Sequence, residues 1–258
     1  MSKRTQDTAG AWKGEHVVVV GAEGGIGAEI AHQLVDVGAE VSGLDLKTGF
    51  DATDAECCLD WCQQQRRIDA VFYAAGIASS GLLTDDGSSE DMQAVYSTNV
   101  VGAVNMARAA ATSLRESRGR FVTLNSAFSL VTAEGFGSYS ASKAALGIVV
   151  NALRPELSPA TVTDCLVGGG RTNIFASAAE RSGTAASYEV NRRFLSRTAR
   201  LEPSAAAASV LDAAWKRKKR SAIGADAWLI GQISHLAPAT TQRIVARKIG
   251  GYPAEATD

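Results

Sequence analysis

The segment His16-Val-Val-Val-Val20 and the Gly21-Ala-Glu-Gly-Gly-Ile-Gly27 turn after it constrain this chain more than any other stretch. A run of β-branched apolar residues this short suits a strand buried on both faces of a parallel sheet. Past the glycines, Ile26, Ile30, Leu34 and Val37 recur at helical spacing, and Gly38 ends the pattern. The expected local structure is therefore strand, tight turn, helix. Gly21, Gly25 and Gly27 let the backbone approach a bound anion closely, and the first N–H groups of the helix point at it with partial positive charge. Glycines also serve plain turns, so the pattern needs a second residue to acquire meaning.

That residue is Asp45, which ends a second predicted strand, Glu40–Leu44. At a strand end, a carboxylate can accept hydrogen bonds from both ribose hydroxyls of an adenosine and repels a phosphate on the 2′ oxygen. Leu46 follows where a 2′-phosphate site carries a basic residue, while Lys47 lies close and Glu23, in the glycine turn, adds further negative charge. Turn and acid together predict a dinucleotide site that takes NAD, with NADP the less favoured cofactor.

Strand and helix signals keep alternating. Asp54 can cap a helix through about Arg67, and Ile68 to Ala74 reads as the next strand. Ser88 with Asp91 forms a capping pattern for a long helix reaching about Ser117. Arg120 to Asn125 is a strand, Tyr139 to Leu157 a helix, Thr161 to Val167 a strand, Ala205 to Trp215 a helix and Ser221 to Gly224 a short final strand. The alternation predicts an α/β fold: a single-domain, Rossmann-type, doubly wound parallel sheet of six to seven strands. Only five residues separate Asp45 from Asp51, too few for a helical crossover. The helix between the second and third strands is expected to be missing, and the third strand short or absent.

The chemistry-bearing residues cluster after the middle strand. Ser126 ends it, Tyr139 follows, and Lys143 stands one helical turn beyond, on the same face as Tyr139. A neighbouring ammonium is expected to lower the phenol's pKa and make it a proton donor or acceptor near neutral pH. Ser126 can hold the substrate oxygen. Taken singly, each residue also fits a plain structural role: a strand cap at Ser126, a packed aromatic at Tyr139, a cap at Thr172.

In order and spacing these motifs make the chain resemble the short-chain dehydrogenase/reductase (SDR) family, over nearly all of Lys13 to Gly224. GAEGGIG looks like the family's glycine turn and Tyr139-Ser-Ala-Ser-Lys143 like its Tyr-x-x-x-Lys motif. The resemblance implies a catalytic set of Asn99, Ser126, Tyr139 and Lys143, with Asn99 kinking the long helix and holding a relay water. It also implies that Asp51 and Ala52 face the adenine, and that Val167 to Thr172 run along the nicotinamide, Gly170 and Thr172 included. The expected cofactor set is Gly21, Gly25, Ile26, Gly27, Asp45, Asp51, Ala52, Ala75, Gly76, Tyr139, Lys143, Gly170 and Thr172. Substrate contacts are expected from Ser126, Phe128, Phe136 and Tyr139. The implied activity is interconversion of a secondary alcohol and its ketone by a homotetramer or dimer. An NADP-dependent ketoreductase and a catalytically silent dinucleotide-binding scaffold are the alternatives.

Four positions depart from the family pattern: Val20 for threonine, Tyr73-Ala74-Ala75-Gly76 for Asn-Asn-Ala-Gly, Val167 for proline, and Pro155 inside the Tyr139 helix, where it is expected to bend the helix. Residues 173–198 correspond to a substrate lid, with Ile174, Phe175, Tyr188 and Phe194 expected on its inner surface, which suits a hydrophobic substrate. Residues 1–13 read as a mobile tail and 14–258 as the domain. Its C-terminal part, 225–258, is helical in pattern and either covers the pocket or packs between subunits.

Composition narrows the rest. With 26 basic and 27 acidic residues, the net charge of −1 argues against a nucleic-acid partner. No apolar run reaches membrane-spanning length and no export leader opens the chain, so a soluble cytoplasmic protein is expected. Cys57, Cys58 and Cys62 lack metal-site spacing and read as reduced thiols on one helix. The cations from Lys216 to Arg220 suit either a solvated helix end or an anionic ligand such as a coenzyme-A phosphate.

Overall fold

The structure is a computed structural model and describes residues 12–253. Six parallel strands, β1 (His16–Val20), β2 (Glu40–Leu44), β3 (Ala70–Tyr73), β4 (Arg120–Ser126), β5 (Thr161–Val167) and β6 (Arg220–Ile223), form one sheet in the order β2-β1-β3-β4-β5-β6. Helices α1 (Gly25–Asp36), α2 (Ala55–Gln63), α3 (Ser88–Tyr96), α4 (Gly102–Glu116) and α5 (Gly137–Glu156) interleave with the strands, followed by α6 (Ile174–Ser182), α7 (Ala185–Thr198), α8 (Pro203–Trp215), α9 (Ala225–Leu236) and α10 (Pro238–Ile249). Every residue of β1 is buried, because the sheet is covered on both faces. Val18, Val71 and Phe121 pack with α2, α4 and α5, whereas Val17, Val19 and Phe72 pack with α1 and α8. The strand order reverses between β1 and β3, so a crevice opens at the carboxyl ends of those strands.

Between β2 and β3 there is no further strand and no crossover helix ahead of α2, as the short spacing predicts. Asp45 instead caps a single 3₁₀ turn, Leu46–Thr48, and its carbonyl accepts the N–H of Phe50 at 3.0 Å. Asp54 caps α2 through Glu56 N–H (2.8 Å) and Cys57 N–H (3.2 Å), although the helix stops at Gln63, short of Arg67.

Several expectations are corrected. The Ser88–Asp91 capping pattern does not form: Gly87, in the left-handed region, precedes the helix, and the Ser88 hydroxyl donates to the Leu83 carbonyl (3.0 Å). The long helix to Ser117 does carry the irregularity implied at Asn99, a π-type turn, Ser97–Val101, that divides it into α3 and α4. Pro155 falls in the last turn of α5, where its missing N–H forgoes the bond to the Asn151 carbonyl but only Glu156 follows it in the helix. Of the expected tail, residues 1–11 lie outside the described residues, and Trp12 is buried. Its ring packs on Phe72 and Trp215, and the buried Arg120 guanidinium lies over both tryptophan rings while pairing with Glu15 at 2.8 Å.

The Lys216–Arg220 cations lie at the amino end of β6, away from the crevice. Lys216 pairs with Asp212, Arg217 donates to the Arg118 carbonyl and the Thr161 hydroxyl, and Arg220 faces Asp164. All four cysteines are free thiols; burial pushes Cys58 up to about 11 and Cys62 up to about 12. No helix among the described residues is long and apolar enough to cross a membrane.

Candidate active site

A cavity of about 800 Å³ occupies the carboxyl ends of the strands. Its first wall is the glycine turn. A Cβ on Gly21 would lie 2.5 Å from the Ala75 backbone nitrogen, and one on Gly27 would lie 2.1 Å from the Gly21 carbonyl oxygen. Only glycine fits this contact between β1, α1 and the end of β3. Nothing lies within 4 Å of a Cβ on Gly24, and no side chain caps α1. The first N–H groups of α1 thus face an open cradle, which fits a pyrophosphate.

Asp45 stands at the end of β2 on the same wall, its carboxylate accepting Glu23 N–H (3.1 Å) and Lys47 N–H (3.0 Å). Asp51, Ala52, Ala75, Gly76 and Ile26 also line the cavity. Across from the turn, the loop after β5 brings Gly170 and Thr172 to the wall, and Thr172 Cγ2 lies 3.4 Å from where a Gly25 Cβ would be. Every residue expected to hold the dinucleotide therefore faces one continuous space.

At its inner end stand Ser126, Tyr139 and Lys143. Ser126 terminates β4, and its Oγ accepts the N–H of Phe128 (3.1 Å) while its hydroxyl hydrogen-bonds the Tyr139 phenol. Lys143 is buried one turn along α5 and donates to the Leu124 carbonyl at 2.9 Å. The expected lowering of the phenol's pKa is not what the geometry yields. Burial pushes Tyr139 up to about 12, opposed by the Ser126 hydrogen bond. Burial likewise pushes the Lys143 ammonium down to about 8, opposed by the Asp164 carboxylate. Loss of water around both groups outweighs a partner whose Nζ lies 5.8 Å from the ring centroid.

Asn99 is placed differently from the other three. It is fully buried in the π-type turn behind the wall, where its Oδ1 accepts Ile77 N–H and its Nδ2 donates to the Ile77 carbonyl and the Ser142 hydroxyl, each at 2.9 Å. Its side chain thereby fixes the extended segment following Gly76, while Ser142 lies next to Lys143 on α5.

Beyond the Ser126–Tyr139–Lys143 cluster the wall is mainly apolar, with Arg181 and Lys248 also lining the cavity. Phe128, Ile174, Phe175 and Phe194 line it, as do Ile230, Val245 and Ile249 from the C-terminal helices. Phe136 is not on the wall: it is completely buried and stacks behind Phe128 at 5.4 Å. Tyr188 points outward and is half exposed. The C-terminal helices cover the pocket, and the Gln242 amide pairs with both N–H (2.9 Å) and carbonyl (2.8 Å) of Thr132. Sequence reasoning missed Asp226, Ile230, Val245 and Ile249; only the apolar pattern of the tail signalled the last three.

The family model described as short chain dehydrogenase matches residues 45–183. A 2,3-dihydro-2,3-dihydroxybenzoate dehydrogenase of Escherichia coli is 33% identical over 177 residues, covering 63% of this chain and 71% of that protein. The chain spans only about half the length of two matching plant relatives. Among solved structures, a Burkholderia cenocepacia short chain dehydrogenase in complex with NADP aligns with a TM-score of 0.73 at 22% identity, covering 92% of this chain and 98% of that one. A Burkholderia phymatum SDR in complex with NAD aligns at 0.72 and 17% identity, covering 96% and 99%. This chain belongs to the short-chain dehydrogenase family. It is an oxidoreductase by membership, and the family uses a nicotinamide dinucleotide on small-molecule substrates.

Proposed function

We propose that this protein interconverts a secondary alcohol and its ketone, on a hydrophobic small molecule, with NAD as the hydride carrier. The observation that carries the proposal is the single cavity shared by the glycine turn, Asp45 and the Ser126–Tyr139–Lys143 cluster. Gly21, Gly25 and Gly27 hold the pyrophosphate, Asp45 the adenosine ribose, Asp51 and Ala52 the adenine, and Gly170 with Thr172 the nicotinamide end. The bound dinucleotide supplies hydride chemistry. Ser126 orients the substrate oxygen. Tyr139 gives that oxygen a proton in the reductive direction and takes one in the oxidative direction. Lys143 adds a positive charge beside the phenol, and Asn99 positions the backbone near it. The exposed Val101, Val104 and Ile148 offer an apolar face for a homodimer or homotetramer.

Lys47 lines the cavity beside Asp45, which favours a second reading: an NADP-dependent ketoreductase. Titration of the purified chain with NADH and NADPH separates the two, and tighter binding of NADH is expected. A screen of apolar alcohols and ketones, with Tyr139→Phe as control, tests the chemistry. The variant is expected to lose about 10²–10⁴-fold in turnover while still binding the dinucleotide. Unchanged turnover would remove Tyr139 from its role.

A further inference from the structure

We infer that Asp226 holds the nicotinamide-facing loop and biases the cleft toward the oxidised dinucleotide; this rests on the function proposed above. Asp226 lies in the first turn of α9, immediately after β6, and lines the cavity. Its Oδ2 accepts the N–H of Gly169 at 2.7 Å. Its Oδ1 occupies the space beside Gly168, where a Cβ would come within 1.9 Å of it. On the other side, a Cβ on Gly169 would lie 2.4 Å from the carbonyl oxygen of Thr198 at the end of α7. The loop after β5 is thus clamped between a carboxylate and a helix end, and both contacts require glycine.

The same loop faces the reacting end of the cleft. Gly168, Gly169 and Gly170 line the cavity between the Ser126–Tyr139 cluster and Thr172, which reaches the glycine turn. Among the described residues no cation pairs with Asp226. The oxidised pyridine ring carries one positive charge more than the reduced ring and is otherwise nearly the same shape. A fixed, unneutralised carboxylate behind its loop therefore attracts the oxidised form preferentially, and does so strongly because part of its surroundings is protein rather than water. Asp226 is a positioning residue whose charge also sets redox preference.

The test is binding alone. Dissociation constants of the oxidised and reduced forms are measured by calorimetry for wild type, Asp226→Asn and Asp226→Ala, using NAD⁺ with NADH and, in parallel, NADP⁺ with NADPH. Asparagine keeps an acceptor for Gly169 N–H and removes the charge, so its oxidised-to-reduced dissociation ratio is expected to rise about tenfold in whichever pair binds. Alanine is expected to weaken both forms as well. An unmoved ratio in a folded Asp226→Asn overturns the inference while leaving the proposed function intact. If that variant does not fold, Asp226→Ser, a smaller neutral acceptor, carries the same comparison. Wild type that binds no dinucleotide overturns the proposed function and this inference together.

Discussion

Tyr73 donates its phenolic hydrogen to the carbonyl oxygen of Thr98 across 2.6 Å, tying the end of β3 to the turn that carries Asn99. This is one of the positions where the chain departs from the family pattern, tyrosine standing in place of asparagine. The phenol fills space that Gly102 leaves, since a Cβ there would lie 2.2 Å from the Tyr73 oxygen. Tyr73→Phe is expected to leave a carbonyl without its partner in the interior and to cost about 1–3 kcal/mol. Urea unfolding measures this, and a loss well under that range would mean the bond is not formed in solution.

The protonation state of Tyr139 predicts different pH behaviour for the two directions. With its pKa pushed up to about 12, the phenol is protonated at neutral pH. It is ready to donate in ketone reduction but must lose its proton to act as base in alcohol oxidation. Between about pH 5 and 7, below the point where Lys143 discharges, oxidation is expected to climb toward tenfold per pH unit while reduction stays flat. Initial rates in both directions, from one enzyme preparation, check the sign.

Replacing Asp45 by Asn removes a negative charge while retaining one oxygen for the N–H groups of Glu23 or Lys47. The expected result is about a tenfold shift of relative affinity toward NADPH, the size of a modest charge–charge repulsion removed. Fluorescence titration with both reduced dinucleotides reads it out. No shift would place the 2′ oxygen elsewhere.

Phe128 and Phe136 stack on each other yet should respond differently to truncation. Phe128→Ala widens the cavity and is expected to move kcat/KM in favour of bulkier ketones. Phe136→Ala opens a void in the aromatic cluster behind the wall and is expected to cost about 3–5 kcal/mol of stability. A ketone series of graded bulk, together with urea unfolding, distinguishes the two.

The sheet was legible because its evidence is local. The valine run of β1, the glycines after it and the helical spacing of Ile30 and Leu34 all lie within one strand–turn–helix unit, and both residues are buried as expected. Thr161–Val167 was legible for the same reason. The misjudged features depend on distant partners. Phe136 and Tyr188 both carry aromatic rings expected at the cavity, yet packing between α5, α6 and α7 buries the first behind the wall and turns the second outward. The pKa of Tyr139 was misjudged because spacing reveals the neighbouring ammonium and not the loss of water around both groups. Asp226 lies 57 residues from the Gly169 it contacts, and nothing in its own sequence neighbourhood signals that role.

The closed loop from Asp45 to Phe50 carries a lesson for redesign. One aspartate both ends the strand and caps the turn that returns the chain toward Asp51 and Ala52, so the proposed ribose and adenine contacts belong to a single mechanical unit. A point exchange aimed at one moiety will disturb the other. Swapping the coenzyme cleanly calls for grafting the whole segment, with its cap, from a donor of the desired preference.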